Sequence, residues 1–454
     1  MPDLGGIVKA YDIRGLVPEQ WDEDVAAAFG AAFVSVTGVD TVVIARDMRE
    51  SGVGLSAAFA RAAAAAGADV LDAGLCSTDE LYYVSGSRDI AGAMFTASHN
   101  PAVYNGIKLC LPGARPISMD TGLAAIRDKA QAILDGHPAP AADKPGTVTA
   151  QDFLEGYAAH LRGLVDLSGI RDLNVVIDAG NGMAGHTVPA VLGPVDALSV
   201  VPMYFELDGN FPNHEANPLE PANLVDLQKA VVERGADLGL AFDGDADRCF
   251  VVDERGEPVS PSAITALVAE AELARHPGST VIHNLITSRA VPEVITENGG
   301  KAVRTRVGHS FIKAEMAKAD AVFGGEHSAH YYFRDFWFAD TGMLAAMFVL
   351  RALGNASVPL SDLVASYDRY VSSGEINSTV ADQSAKLSEV EEYYADRAGT
   401  SVDHLDGLTI TFADGAWLNL RPSNTEPLLR LNAEAPTVER MRELRDEVLA
   451  QVRR

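Results

Sequence analysis

The hexapeptide Asp243-Gly-Asp-Ala-Asp-Arg248 sets three carboxylates at alternate positions of one short loop. Like charges gathered this closely repel unless a cation lies between them, so the pattern points to a metal site. Carboxylate oxygens are hard ligands and select Mg2+, Mn2+ or Ca2+. A calcium loop of the EF-hand kind competes, since Asp243, Asp245 and Asp247 fit its positions 1, 3 and 5 and Glu254 falls at 12. It fails twice. Arg248 stands where that loop requires glycine, and the flanks LGLAF and CFVV read as strands, not helices. A solvated acidic turn is the plainer alternative.

A second stretch, Thr96-Ala-Ser-His-Asn-Pro101, puts a serine beside a histidine after an apolar run. It lacks the G-x-S-x-G elbow of a serine hydrolase, and neighbours on a loop often point apart, so His99 is not by position the base for Ser98. A polar turn closed by Asn100-Pro101 is the plain reading. A phosphoryl carrier fits better, because a phosphoserine bears a charge of about −2 and its transfer needs a divalent ion, which the aspartate loop can supply.

Two further loops carry polar side chains suited to a sugar phosphate. Arg421-Pro-Ser-Asn-Thr-Glu-Pro427 combines a guanidinium, two hydroxyls, an amide and loop N–H groups, the makings of a phosphate cradle or of an ordinary Pro-bounded turn. Gly324-Gly-Glu-His-Ser-Ala-His330 offers a carboxylate and a hydroxyl for sugar hydroxyls. Basic residues accompany these loops: Lys9, Arg14, Lys108, Arg248, Lys313 and Arg421.

The elements that must hold the loops alternate apolar strands with Ala-rich helices, which predicts α/β layers. Strands are expected at Thr41–Ile44, Ala91–Phe95, Val175–Ile177, Gly239–Phe242, Cys249–Val252, Thr280–His283 and Ala321–Phe323. Helices are expected at Ala26–Val34, Gly54–Ala66, Thr121–Leu134, Asp152–Leu164, Leu224–Arg234 and Ala263–Ala274. A short echo, Gly67-Ala-Asp69, Gly235-Ala-Asp237 and Lys318-Ala-Asp320, follows a helix-like segment each time and hints at three related units. His137–Gly146 reads as a linker. The last stretch differs: a hairpin of Leu408–Phe412 and Ala416–Leu420, a strand Leu428–Leu431, and a helix capped by Thr437 with Met441, Leu444, Val448 and Val452 on one face.

Composition sets the bounds. At 454 residues the chain has room for roughly three domains of ~150 residues. A net charge of −27 disfavours nucleic acid and anionic membranes as partners. No apolar run reaches the ~18 residues of a membrane span, and the N-terminus shows no secretory signal. The three cysteines, Cys76, Cys110 and Cys249, form no C-x-x-C pair, and a cytoplasmic location is expected.

Taken together and in order, KAYDIRG (9–15), TASHNP, DGDADR, RVGHSFIK (306–313), GGEHSAHYYFRDFWFADTG (324–342) and RPSNTEP resemble the α-D-phosphohexomutase superfamily, in its phosphomannomutase/phosphoglucomutase branch. The resemblance spans essentially the whole chain. It implies three similar mixed α/β domains and a C-terminal α+β domain around a central cleft, expected at residues 1–148, 149–253, 254–368 and 369–454.

It also implies roles. Ser98 would be the phosphoserine, and Asp243, Asp245 and Asp247 would bind Mg2+ together with a phosphate oxygen on Ser98. Arg248, Lys108, Arg14 and Tyr11 would surround the phosphoryl group in transit, with Lys108, His99 and His330 as candidate proton carriers. Glu326 and Ser328 would bind sugar hydroxyls, Arg421, Ser423, Asn424 and Thr425 the phosphate that is not reacting, and His309 and Lys313 would contribute to the cleft. The implied reaction interconverts mannose 1-phosphate and mannose 6-phosphate through a hexose 1,6-bisphosphate, which would also serve as activator, with glucose phosphates as further candidate substrates. The enzyme would act as monomer or homodimer. The sequence departs from the pattern in two places: HNLITS, with Leu285, lacks a lysine present in some relatives, and GEHS carries His327 where many have Met or Gln. Asn424 favours the mannose/glucose branch over phosphoglucosamine mutases. Phosphoglucomutase and phosphoglucosamine mutase are the alternative activities, a phosphatase the rival reaction, and an acidic divalent-cation binding protein the non-enzyme alternative.

Overall fold

The computed structural model describes residues 3–137, 142–395, 397–423 and 428–454; part of the linker expected at 137–146 therefore lies outside the described residues. The chain forms two compact units, one of residues 1–259 and 328–363, the other of 260–327 and 364–454. Among the described residues no helix is long and apolar enough to cross a membrane.

The first unit holds two mixed sheets built on one plan. In the N-terminal sheet the parallel strands Asp69–Leu75, Thr41–Arg46 and Ala91–Phe95 lie side by side, and the antiparallel strand Tyr104–Leu111 follows Ala91–Phe95, with Ile13–Leu16 beyond it. In the next sheet Leu198–Met203, Leu173–Asp178 and Leu238–Phe242 run parallel, and Cys249–Asp253 returns antiparallel to the last. TASHNP and DGDADR thus occupy the same place, at the turn from a fully buried parallel strand into its antiparallel neighbour. Such strands read as continuous apolar runs, which is why AGAMF and LGLAF are legible as sequence.

The helices Glu23–Thr37 and Ser51–Ala65 cover the N-terminal sheet and share its core with Phe33, Phe59, Phe95 and Ile107. Asp22 caps the first through the amides of Asp24 and Val25, and Gly38, at φ 67, ends it. Their approach is close because Gly30 has no side chain. A Cβ there would lie 2.4 Å from the carbonyl oxygen of Phe59.

In the second unit the parallel strands Lys301–Thr305, Thr280–Asn284 and Phe323–Gly325 repeat the plan, and the GEHS loop follows the last of them. The strand expected at 321–323 starts two residues later, because Asp320 ends the helix His309–Ala319 in the left-handed region at φ 46. The C-terminal part is an antiparallel sheet in which Leu408–Thr411, Trp417–Pro422 and Leu428–Ala435 are neighbours. The helix Val438–Val452, capped by Thr437, buries Met441, Leu444, Val448 and Val452 against it.

Gly30→Ala should lower the thermal midpoint by the equivalent of about 1–3 kcal/mol, since backbone oxygen cannot move aside cheaply. Gly163, in the helix Leu154–Leu164, faces open space, so Gly163→Ala should leave the midpoint unchanged or raise it slightly. Circular-dichroism melts of both variants check the pair; equal melts would remove the packing argument.

Candidate active site

Ser98 follows the buried strand Ala91–Phe95 and sits in the left-handed region, at φ 50, where a non-glycine residue costs about 1–3 kcal/mol. Its amide donates to the Thr96 hydroxyl at 2.8 Å, and its Oγ donates to Asp243 Oδ2 at 2.7 Å. The aspartate loop presses on it, and a third loop presses on the aspartate loop. A Cβ on Gly244 would lie 2.4 Å from the Ser98 carbonyl oxygen, and one on Gly182 would lie 2.7 Å from the Gly244 carbonyl oxygen. Only bare backbone lets the serine loop and the aspartate loop meet.

The three aspartates are buried, and their oxygens lie within 4.8 Å of one another. Two cations offset them. Lys108 Nζ donates to Asp245 at 2.7 Å and Asp247 at 2.6 Å, while Arg248 donates to Asp243 through Nε at 2.9 Å and Nη2 at 2.7 Å. Burial pushes the Asp243 carboxyl up to about 7 against the pull of Arg248, with Asp247 and Asp245 adding to the rise. Burial alone would also raise Asp245, but Lys108 holds it well below the usual carboxylate range. Burial works against the charge of Lys108 too; Asp245 and Asp247 outweigh it and raise its pKa. Asp245 Oδ1 and Asp247 Oδ1 are buried with no hydrogen-bond partner. Two orphaned hard oxygens beside Asp243 fit a divalent cation well.

His99 contacts the Ser98 Oγ through Nδ1 at 3.2 Å, but Arg248 Nη2 donates to that same nitrogen. Burial first, then the charges of Arg248 and Arg14, depress its pKa to about 2. The imidazole is therefore neutral, with its lone pair at Nδ1 already engaged. Arg14 bridges the start of the chain to this loop, donating to Asn100 Oδ1 at 2.7 Å and to Asp12. Arg14 stands opposite Gly106 in the antiparallel ladder, two residues from Lys108, so both basic side chains leave one face of the sheet. Tyr11 lies half-buried on the same N-terminal turn. His330 joins the carboxylates: its Nε2 is 3.8 Å from Asp247 Oδ1 and its Nδ1 is 3.0 Å from the Ser328 hydroxyl.

In the second unit Glu326 is buried and accepts from Asn284 Nδ2 at 3.1 Å and the Gly308 amide at 3.4 Å. His327 turns to Ser262 instead, Nδ1 to Oγ 3.3 Å. Lys313 is buried in the helix His309–Ala319. Arg421 donates to Glu375 at 3.4 Å, and Ser423 is buried where the strand Trp417–Pro422 ends. Asn424, Thr425 and the side chain of His309 lie outside the described residues. The structure thus gathers Ser98, His99, Lys108, Arg14, the three aspartates, Arg248, Ser328 and His330 in one unit, and Glu326, Arg421 and Ser423 in the other.

Sequence reading misses Thr78. Its Oγ1 donates to Asp245 Oδ2 at 2.6 Å and its amide to the Asp245 carbonyl at 3.0 Å. It opens the helix Thr78–Arg88, whose N-cap Ser77 accepts from the Glu80 amide. The Ser-x-x-Glu pattern of a capping box was the available signal. Asp79 ties that helix to its surroundings, accepting from Tyr157 Oη at 2.7 Å and Thr341 Oγ1 at 2.6 Å.

Family models of phosphoglucomutase/phosphomannomutase match the chain four times: alpha/beta/alpha domain I over residues 5–135, domain II over 155–256, domain III over 260–370 and the C-terminal domain over 375–451. The chain is 41% identical over 435 residues to a phosphomannomutase of Salmonella typhimurium, with 94% of each chain covered. It is 42% identical over 429 residues to phosphohexose mutases of Xanthomonas campestris pv. campestris, again with 94% of each covered. The crystal structure of a phosphoglucomutase/phosphomannomutase family protein from Burkholderia thailandensis superimposes with a TM-score of 0.89 at 31% identity, covering 100% of this chain and 98% of that one.

Calorimetric titration with Mg2+ or Mn2+ should detect one tight site that Asp245→Asn abolishes. Thr78→Val should weaken it about tenfold, the usual cost of losing a partner that orients a ligand. Equal affinity in wild type and Asp245→Asn would place the cation elsewhere.

Proposed function

The chain belongs to the phosphoglucomutase/phosphomannomutase family of the α-D-phosphohexomutase superfamily, and we propose that it is a phosphomannomutase working through a phosphate on Ser98. The observation that carries the reading is the Ser98 Oγ held 2.7 Å from Asp243, inside a cluster of three buried carboxylates, the buried Arg248 and the half-buried Lys108. That setting suits a group that gives and takes back a phosphoryl, for which catalysis is mostly positioning and charge neutralisation.

In this reading the free hydroxyl of a hexose 1- or 6-phosphate attacks phosphorus on Ser98. The new P–O bond forms to the sugar, the bond to Ser98 Oγ breaks, and the hydroxyl proton passes to a base. Lys108 is held charged by Asp245 and Asp247, so it acts as a cation. His99 is neutral and its Nδ1 already accepts from Arg248. His330, near Asp247 and backed by Ser328, is the proton acceptor this leaves. Arg248 and Arg14 balance the phosphoryl oxygens. Asp243, Asp245 and Asp247 hold Mg2+, which when bound neutralises charge on the phosphate oxygens. The hexose 1,6-bisphosphate then turns round, and its other phosphate returns to Ser98; a trace of it primes enzyme that has lost its phosphate.

Glu326 orients sugar hydroxyls. Arg421, Ser423, Asn424 and Thr425 take the phosphate at the far end, with Tyr11 and His309 as further contacts. The reading extends to a cytoplasmic enzyme acting as monomer or homodimer.

Two measurements test it. Intact mass of the purified protein should include a fraction about 80 Da heavier, the mass of one added phosphoryl group, and Ser98→Ala should remove it. With Mg2+ and a trace of bisphosphate, mannose 1-phosphate should be converted to mannose 6-phosphate in a coupled assay, alongside glucose and glucosamine phosphates for comparison. No conversion of the mannose phosphate, or steady release of inorganic phosphate in its place, would overturn the assignment.

A further inference from the structure

We propose that Arg49 is the positioning residue of the phosphoryl-accepting loop, a buried guanidinium that sets the place of Ser98 by gathering the loop's carbonyl oxygens. The proposal rests on Ser98 being the phosphate carrier.

Every N–H of this guanidinium has an acceptor. Nε donates to Asp47 Oδ2 at 3.2 Å. Nη1 donates to the carbonyls of Pro101 at 2.8 Å and Tyr104 at 3.0 Å, and Nη2 to those of Ser98 at 2.9 Å and Asn100 at 2.6 Å. Four carbonyls of a single loop thus converge on one cation whose side chain is 1% exposed. The loop's own backbone closes only two local turns here, Asn100 N to Ala97 O and Tyr104 N to Pro101 O, both at 3.0 Å. Without Arg49 the buried Ser98 carbonyl would lose this donor, and only the Thr96 hydroxyl and the turn from Ala97 to Asn100 would locally resist the return of Ser98 from its left-handed conformation.

The grip is two-sided. Asp47 accepts the Arg49 amide at 2.9 Å, and on the other side of Ser98 the Thr96 hydroxyl accepts the Ser98 amide at 2.8 Å. The amide of Ser98 is therefore held by Thr96 and its carbonyl by Arg49, which Asp47 in turn holds. Asp47 and Arg49 follow directly on the strand Thr41–Arg46, which pairs with Ala91–Phe95, so the clamp and the loop rise from adjacent strands. Phe211 covers the guanidinium at 5.2 Å, and a Cβ on Gly209 would lie 2.8 Å from Arg49 Cα, which closes the clamp from above. Arg49 makes no contact with Asp243, Asp245, Asp247 or Lys108 within hydrogen-bonding distance among the bonds described, so its work is done through the backbone of the serine loop.

Lysine cannot replace it. An ammonium has three donors and no planar fork, so it cannot reach acceptors on both sides of the loop. In full-length protein, Arg49→Lys should lower kcat on the order of 10²-fold, the scale of an ångström's misplacement of a reacting group. KM for the best hexose phosphate should stay within about twofold, because sugar binding is untouched. Thr96→Val, which keeps the shape and removes the hydroxyl, should lower kcat in the same way by about tenfold. If Arg49→Lys fails to fold, as judged by its melt, Thr96→Val decides. Unchanged kcat, or a change confined to KM, in a folded variant would overturn the clamp. Phosphate loading of wild type, read by intact mass before any assay, separates this from the parent reading: if wild type takes no phosphate on Ser98, the carrier assignment and the clamp's purpose fall together; if it does, the variants test the clamp alone.

Discussion

Three buried carboxylates and a serine hydroxyl share one small space, and that electrostatic constraint governs the rest of the first unit. Asp243, Asp245 and Asp247 lie out of solvent with oxygens within 4.8 Å. Such a cluster is tolerable only with cations beside it. Lys108 must come from the neighbouring antiparallel strand, and Arg248 from the end of the loop itself. The sheet order serves this end: Lys108 can reach Asp245 and Asp247 only because Tyr104–Leu111 turns back along Ala91–Phe95.

The second requirement is closeness of backbone. Ser98 meets the aspartate loop at Gly244, Gly244 meets Gly182, and the helix Gly342–Asn355 starts against Arg248, where a Cβ on Gly342 would lie 2.6 Å from the Arg248 carbonyl carbon. Side chains at these glycines would overlap backbone atoms and force the loops apart. A chain with a net charge of −27 nevertheless assembles Arg14, Arg49, Lys108 and Arg248 around one loop. These cations partly offset, where the phosphate would sit, the repulsion of an anionic substrate by the surface at large.

The same strand–loop–strand plan appears in both sheets of the first unit, and the strand that precedes GEHS in the second unit repeats its parallel half. The echoes Gly235-Ala-Asp237 and Lys318-Ala-Asp320 mark the exit from a helix into the strand that carries the loop, whereas Gly67-Ala-Asp69 leads into Asp69–Leu75, one strand before the serine loop's own. Gly235, at φ 58, and Asp320, at φ 46, end their helices in the left-handed region. The left-handed residue is the first of one echo and the third of the other, so the helices end alike but the echoed letters do not superimpose.

Much of this was readable from residues alone. Buried strands such as AGAMF and LGLAF are apolar throughout, and the loops after them carry residue types suited to phosphate and metal chemistry, so the fold class and many of the candidate residues were visible without coordinates. Helix Thr78–Arg88 was not, because its buried face is largely polar, Thr78, Asp79, Glu80 and Ser85, and Thr78 and Asp79 find their partners far away in sequence. Likewise nothing in RDMRE announces that Arg49 will collect four carbonyls, since its partners lie about fifty residues on. The choice between neighbours in Ser98-His99 also needed the fold: His99 stands beside the serine, but Arg248, 149 residues away, takes its Nδ1. The sequence alone determined which chemical groups are present and which strands deliver them, because residue type and apolar runs are local properties. Which groups touch, which stay charged and which backbone is held under strain were decided only in the folded chain, because each depends on partners that sequence distance hides.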